Sequence, residues 1–362
     1  MLPVERLARP LSFPRLQWLR GLAATSVVLF HVSLFFSLLR HYDGPAALFG
    51  WRFGRFGVVL FFVISGALMA DLAPRTPGLR YLTHRAVRVY PIYWIALLAA
   101  TVVQWTEGQQ FFLDWRAMAL IPGGHWAYPL GVEWTLPFEM TFYVIVAILI
   151  LLGAAPRLQI VAIIWVAGIA AFHVFAPQFQ ADWQFPPLIY LPLTDFSLGF
   201  ACGLLVPWLV RSRWMTIGAV IAGVGMILCS ELYAALTMWM LALGCTGLVA
   251  GATSPQKLSA ASGRPLVALG NWSFALYLCH VPIALAVLHF VPRDVPPLPL
   301  WIATFALIIG TACLFGRFDV SLHRGLRGIV DRADPILRYA ICTMTACAII
   351  VGGVAVMRHW VG

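Results

Sequence analysis

The sequence predicts an all-α integral membrane protein, a polytopic bundle of about 10 or 11 transmembrane helices with a cytoplasmic N-terminus. Three observations carry this reading. Of the 362 residues, 61% are hydrophobic and only 10% charged; apolar runs long enough to span a bilayer recur along the chain; and basic residues collect between alternate runs. A mean hydropathy of +0.87 lies far from that of a soluble domain. The net charge of +10 would in a soluble chain suggest nucleic acid or another acidic partner. Its placement between apolar runs assigns it to topology instead, so no nucleic-acid partner is expected.

The runs fall near 16–39, 56–71, 88–105, 134–152, 159–175, 188–210, 215–230, 234–251, 265–290, 298–316 and 338–357. With the N-terminus inside, only Arg40, Arg52, Arg55, Arg116, Arg293 and Arg358 of the 24 Lys and Arg lie outside. The others, Arg6, Arg9 and Lys257 among them, are inner, which the positive-inside rule favours. No short apolar region followed by a small-residue cleavage site opens the chain, so the first run is read as an uncleaved anchor. Loops are short except near 72–87, 106–133 and 317–337. A single transmembrane domain over 1–362 is therefore expected, its motif-bearing part at 16–290, with no appended soluble domain. Pro137, Pro192, Pro207 and Pro282 lie within runs and read as kinks. The seven cysteines sit in or beside apolar runs without paired metal-ligand spacing, so packing is their role and no metal is expected.

Ionisable residues inside apolar runs are expensive and mark candidate sites. Arg20 and His31 are eleven residues apart, close to three helical turns, and share one face about 16 Å apart. In the N-in arrangement Arg20 lies near the cytoplasmic surface and His31 deeper. The same arrangement puts Glu139, Asp195 and His280, with Tyr277 about one turn below His280, in the layer of His31. One polar site is one reading; interhelical pairs that satisfy each other are the alternative, evenly weighted for Asp195 and close to it for His280. His173 and His289 lie near run ends, where a satisfied or snorkelling side chain is expected. Arg85 and Arg88, at i and i+3 on a helix start, can face one anionic group, and phosphate suits them. Ordinary positive-inside topology is by itself the better explanation of the pair, and it weakens when Arg20, on the same side and on the His31 face, is added.

Five separated segments then match one family in order. Arg20-Gly-Leu-Ala with His31 resembles an R-x10-H signature. Phe56-Gly-Val-Val-Leu-Phe-Phe-Val-Ile-Ser-Gly66 resembles G-V-x-L-F-F-x-x-S-G, and Arg85-Ala-Val-Arg88 with Pro91 and Tyr93 resembles an R-x-x-R element. Trp134-Thr-Leu-Pro-Phe-Glu139-Met-Thr-Phe-Tyr143 is similar to W-S-L-x-x-E-x-x-F-Y, with Thr135 where Ser is usual and Pro137 two residues before the acid. Ser273-Phe-Ala-Leu-Tyr277-Leu-Cys-His280-Val-Pro282 is similar to S-x-x-x-Y-L-x-H-x-P. The chain thus resembles the membrane acyltransferase-3 family, which includes bacterial O-antigen and exopolysaccharide O-acetyltransferases. No motif is matched after residue 290.

The resemblance implies a multi-pass protein of the bacterial cytoplasmic (inner) membrane. Its activity would be transfer of an acyl group, most simply acetyl, from cytoplasmic acetyl-CoA or another acyl-CoA to a hydroxyl of an extracytoplasmic glycan or lipid-linked saccharide. His31 is the candidate base, with a pKa suited to the task, and Glu139 a candidate orienter; an acyl-imidazole route stays open. Arg20, Arg85 and Arg88 are candidate donor-binding residues. Ser65 and Tyr277 are candidate oxyanion donors, with packing an equal reading, and His280 and Asp195 candidate support. Two other readings remain: a proton-coupled transporter using His31, Glu139, Asp195 and His280, and an acyltransferase for a small metabolite such as a macrolide.

Overall fold

A chain crossing hydrocarbon satisfies its backbone hydrogen bonds internally, and in the computed structural model the apolar runs are helices. The structure describes residues 13–106, 108, 114–123, 129–176, 186–233, 236–253 and 264–358, and these contain no strand. Arg6, Arg9 and Lys257, which the sequence counts as inner, lie outside the described residues. The helices are α1 (Phe13–Arg40), the short α2 (Gly44–Leu48), α3 (Trp51–Leu72), α4 (Gly78–Thr106), the short α5 (Trp115–Met118), α6 (Thr135–Leu151) and α7 (Leu158–Phe175). Then follow α8 (Asp195–Gly203), α9 (Val206–Leu209), α10 (Arg213–Cys229), α11 (Thr237–Thr253), α12 (Arg264–Asn271), α13 (Ser273–Phe290), α14 (Pro297–Arg332), α15 (Pro335–Cys347) and α16 (Gly353–Arg358). Eight stretches are long and apolar enough to cross a membrane, and α6 and α11 are shorter apolar helices, so the all-α polytopic bundle is the observed fold.

Three runs differ from their expected form. The run near 188–210 is broken: Pro192 lies in a 3₁₀ turn at Leu191–Leu193 and Pro207 in the first turn of α9, so both mark boundaries rather than kinks. Each lacks the N–H that a helix interior needs. The run near 265–290 divides at Trp272 into α12 and α13. The run near 298–316 continues as helix to Arg332, a rod about 54 Å long, so most of the expected inner loop at 317–337 is helix. That extension buries Asp319 and Val330 while Arg324 and Arg327 stay outward.

α1 lies against α3, α12, α13 and α14, and α4 packs on α6, α13, α14 and α15, so these elements surround the centre. α7 and α10 are peripheral, with exposed Ile160, Ile163, Ile164, Ile221 and Leu228 suited to lipid. Arginines close two helix ends in trans. Arg40 donates to the Val291 carbonyl at 2.5 Å and the Pro292 carbonyl at 2.8 Å, after α13, and Arg52 donates to the Ile227 carbonyl of α10 at 2.9 Å. These carbonyls lie at or just past helix C-termini, where a cation also matches the helix dipole.

Close backbone approach sets the α3–α8 crossing. Gly199 and Gly203 form a G-x-x-x-G face on α8; a Cβ at Gly203 would collide with the Val63 carbonyl, and one at Gly199 would stand 3.2 Å from the Val59 carbonyl oxygen. Phe142 of α6 then stacks on Phe200 of α8 at 4.5 Å between ring centroids, joining the crossing to α6. The entry to α6 is fixed by a tight turn with Gly131 at φ +74°. The fully buried Glu133 carboxyl accepts from the N–H groups of Leu130 and Val132, each at 3.0 Å.

Gly203→Val should lower stability by about 3 kcal/mol or more, because the added methyls meet backbone that cannot rotate away; thermal unfolding in detergent would read this. Burial pushes the Glu133 carboxyl up to about 7 despite its N–H donors. The folded state therefore holds a proton that the unfolded chain releases. Stability should be full below about pH 4.5 and fall by about 3 kcal/mol as pH rises to 7 and beyond. In Glu133→Gln this fall should disappear from the unfolding midpoint measured at pH 5 and pH 8.

Candidate active site

The site begins on α4. Arg85 and Arg88 project from one face, as their i, i+3 spacing requires, and line a chamber of about 210 Å³. Arg88 donates from Nη1 to Oδ1 of Asp319 on α14 at 2.6 Å, and its guanidinium also lies 5.2 Å from the Phe274 ring centre. Asp319 is 1% exposed, so this is a buried ion pair whose second oxygen, Oδ2, has no hydrogen-bond partner among the described residues. Arg85 lies 5.8 Å over the Tyr143 ring, and its Nε is likewise buried without a partner. His323, one turn beyond Asp319 on α14, completes the wall.

Arg20, Ser65 and Glu139 line this chamber and also a second one, of about 80 Å³, that continues to Thr135 and Tyr277. Arg20 makes no ion pair with any described residue, which leaves its guanidinium facing the two chambers. Glu139 accepts a hydrogen bond from the Tyr143 hydroxyl one turn along α6, and Ser65 Oγ lies 3.5 Å from that hydroxyl. The acid is thus held at the junction of the chambers, on the level of Arg20.

At the far end the Tyr277 hydroxyl donates to the Val132 carbonyl and lies 2.7 Å from Thr135 Oγ1. Its single proton is committed to that carbonyl, so the Thr135 hydroxyl is the donor to Tyr277. This Tyr277 holds the turn before α6 and is not available as an oxyanion donor in this arrangement. Next on α13 is the fully buried His280, its ring centroid 5.9 Å from that of Tyr277 and 5.1 Å from that of His31. His31 Nδ1 lies 3.0 Å from the Val27 carbonyl oxygen and 3.2 Å from His280 Nε2.

All five sequence motifs therefore converge, from α1, α3, α4, α6 and α13. Two expected neighbours do not meet: the polar partner of His31 is His280, and that of Glu139 is Tyr143. Asp195 lies apart, 3.2 Å from His173 Nδ1 at the α7–α8 end, and lines neither chamber. Asp319 and His323 lie beyond the apolar run, in the stretch that hydropathy marks as an inner loop and that the structure shows as the second half of α14. Their i, i+4 spacing, continuous with the apolar period of α14, was the available signal.

The acyltransferase domain model of the acyltransferase-3 family matches residues 13–317. A relative in Komagataeibacter xylinus, named as the membrane-bound transacylase BcsY, is 29% identical over 301 residues, which cover 73% of this chain and 71% of the relative. The exopolysaccharide production protein ExoZ of Rhizobium meliloti (strain 1021) is 31% identical over 140 residues, or 34% of this chain and 43% of ExoZ. No solved structure matches the chain. With the family match covering most of its length and both chambers walled by the motif residues, this chain belongs to the acyltransferase-3 family of membrane acyltransferases.

Proposed function

We propose that the protein is an O-acyltransferase that moves an acyl group, in the simplest case acetyl, from cytoplasmic acyl-CoA to a hydroxyl of an extracytoplasmic glycan. The observation that carries the reading is the pair of adjoining chambers, arginine-lined at one end and reaching Thr135 and Tyr277 at the other, with His280 and then His31 in successive ring contact beyond Tyr277. With the N-terminus inside, as the basic residues favour, the arginine end faces the cytoplasm, in a bacterium across the inner membrane. The names of the two relatives, one a transacylase and one a protein of exopolysaccharide production, support acyl transfer to a polysaccharide.

In this reading Arg20, Arg85 and Arg88 bind the donor phosphates. Guanidinium forks match phosphate oxygens and give charge-assisted hydrogen bonds, and the unpartnered N–H of Arg85 is one such donor. Asp319 holds Arg88 in place but competes for its charge. The pantetheine arm runs past Ser65 and Glu139 towards Tyr277. The His31 imidazole takes the proton of the acceptor hydroxyl as that oxygen attacks the thioester carbonyl; the C–S bond breaks, and the CoA thiolate leaves and is protonated. Passage through an acyl-imidazole would use the same side chain.

His31→Ala should lower O-acetyl content of the surface polysaccharide by about 100-fold or more at equal protein level; mass spectrometry of the glycan reads this directly, and an unchanged content would remove His31 from the mechanism. Arg85→Ala should raise KM for acyl-CoA about 10-fold to 100-fold with kcat little changed, the loss of one charge-assisted contact. An unaltered KM in membrane vesicles would return Arg85 to a purely topological role.

A further inference from the structure

His280 is fully buried one turn above Tyr277, and the reaction described above assigns it no step. Its Nδ1 lies 2.8 Å from the carbonyl oxygen of Tyr277 and 3.2 Å from that of Leu276. Carbonyl oxygens accept and never donate, so the proton of the neutral ring sits on Nδ1 and Nε2 carries the lone pair. That lone pair faces Nδ1 of His31 at 3.2 Å. On its other side the same His31 nitrogen faces the Val27 carbonyl at 3.0 Å. His31 Nδ1 thus has two acceptors before it and must itself carry a proton.

We propose that His280 is a positioning residue for His31: it accepts from Nδ1–H, fixes the ring and its tautomer, and leaves Nε2 as the basic nitrogen. The proposal rests on the reading of His31 as the base. His31 Nε2 makes no hydrogen bond with any described residue, so it is the nitrogen open to a substrate proton. The arrangement also says which ring gains that proton. A proton on His31 Nε2 leaves every contact of the pair intact. A proton on His280 Nε2 would set N–H against N–H, so His280 stays neutral and the cycling proton belongs to His31. A carboxylate in the same place would instead pair with the imidazolium and resist its deprotonation; a neutral imidazole orients without that electrostatic hold. Each turnover is balanced, His31 Nε2 receiving the hydroxyl proton and returning it to the departing thiolate.

The test uses the full chain with ¹⁵N-labelled histidine in lipid nanodiscs. Ring nitrogen signals of His31 and His280 are assigned by their loss in His31→Ala and His280→Leu. Both rings should show Nδ1–H with unprotonated Nε2, the reverse of the tautomer that free neutral histidine favours. His31 as Nε2–H would overturn the proposal. In acyl transfer His280→Leu should lower kcat about 10-fold or more with KM for acyl-CoA within roughly twofold, since donor contacts are untouched. His280→Gln, whose side-chain carbonyl can accept from His31, should recover part of the loss. Wild-type kcat in His280→Leu would also overturn it. Should His31→Ala keep full transfer, the base reading fails, while the nitrogen spectrum still decides the pairing.

Discussion

Charge held inside a hydrocarbon slab must be answered by protein, and the bundle is arranged around that requirement. Three arginines, Arg20, Arg85 and Arg88, enter the centre from α1 and α4, and two acids, Glu139 and Asp319, enter from α6 and α14. Only one full ion pair forms among them, Arg88 with Asp319 at 2.6 Å. Arg20 is left facing the chambers, and Glu139 is held by the Tyr143 hydroxyl instead of by a guanidinium. A buried cluster with more cationic than anionic partners is stable only if an anion can join it or water can reach it. The chambers supply that access, and in the proposed reaction the donor phosphates would supply the charge.

The remaining architecture keeps this centre in register. Small residues let α3 and α8 approach until their backbones touch, which brings Ser65 on α3 to the wall that Glu139 and Tyr143 form on α6. The stacking of Phe142 on Phe200 carries the same register to α6. Arg40 and Arg52 close helix ends on neighbouring elements, so the outer rims of α1 and α13, and of α3 and α10, are tied by hydrogen bonds as well as by packing. Tyr277 performs a related task at the second chamber by clamping the turn before α6. Its hydroxyl is consumed in doing so, which separates its structural role from the imidazoles beyond it.

A gradient runs along the two chambers. One end is rich in guanidinium groups; the other ends at Thr135 and Tyr277. His31 lies beyond the chamber wall, reached through Tyr277 and His280 by successive ring contacts of 5.9 and 5.1 Å. In the proposed reaction, such a separation would keep the acceptor hydroxyl and its base away from the donor's charged portion.

Much of the molecule was legible in the residues themselves. Hydrocarbon admits only helices as isolated spans, so length and hydropathy alone determined an all-α bundle, and the asymmetry of basic residues favoured one orientation. The cost of ionisable groups in lipid picked out Arg20, His31, Glu139 and His280 before any contact was known. Tertiary structure alone decided the partners. Periodicity orders residues along one helix but says nothing of which helices adjoin, so His31 meets His280 and not Glu139, and Asp195 belongs with His173. The apolar run at 298–316 hid a helix that continues to Arg332, because its last four turns alternate charge with apolar contact and hydropathy averages that pattern away. Asp319 and His323 reach the site only because that helix stays unbroken.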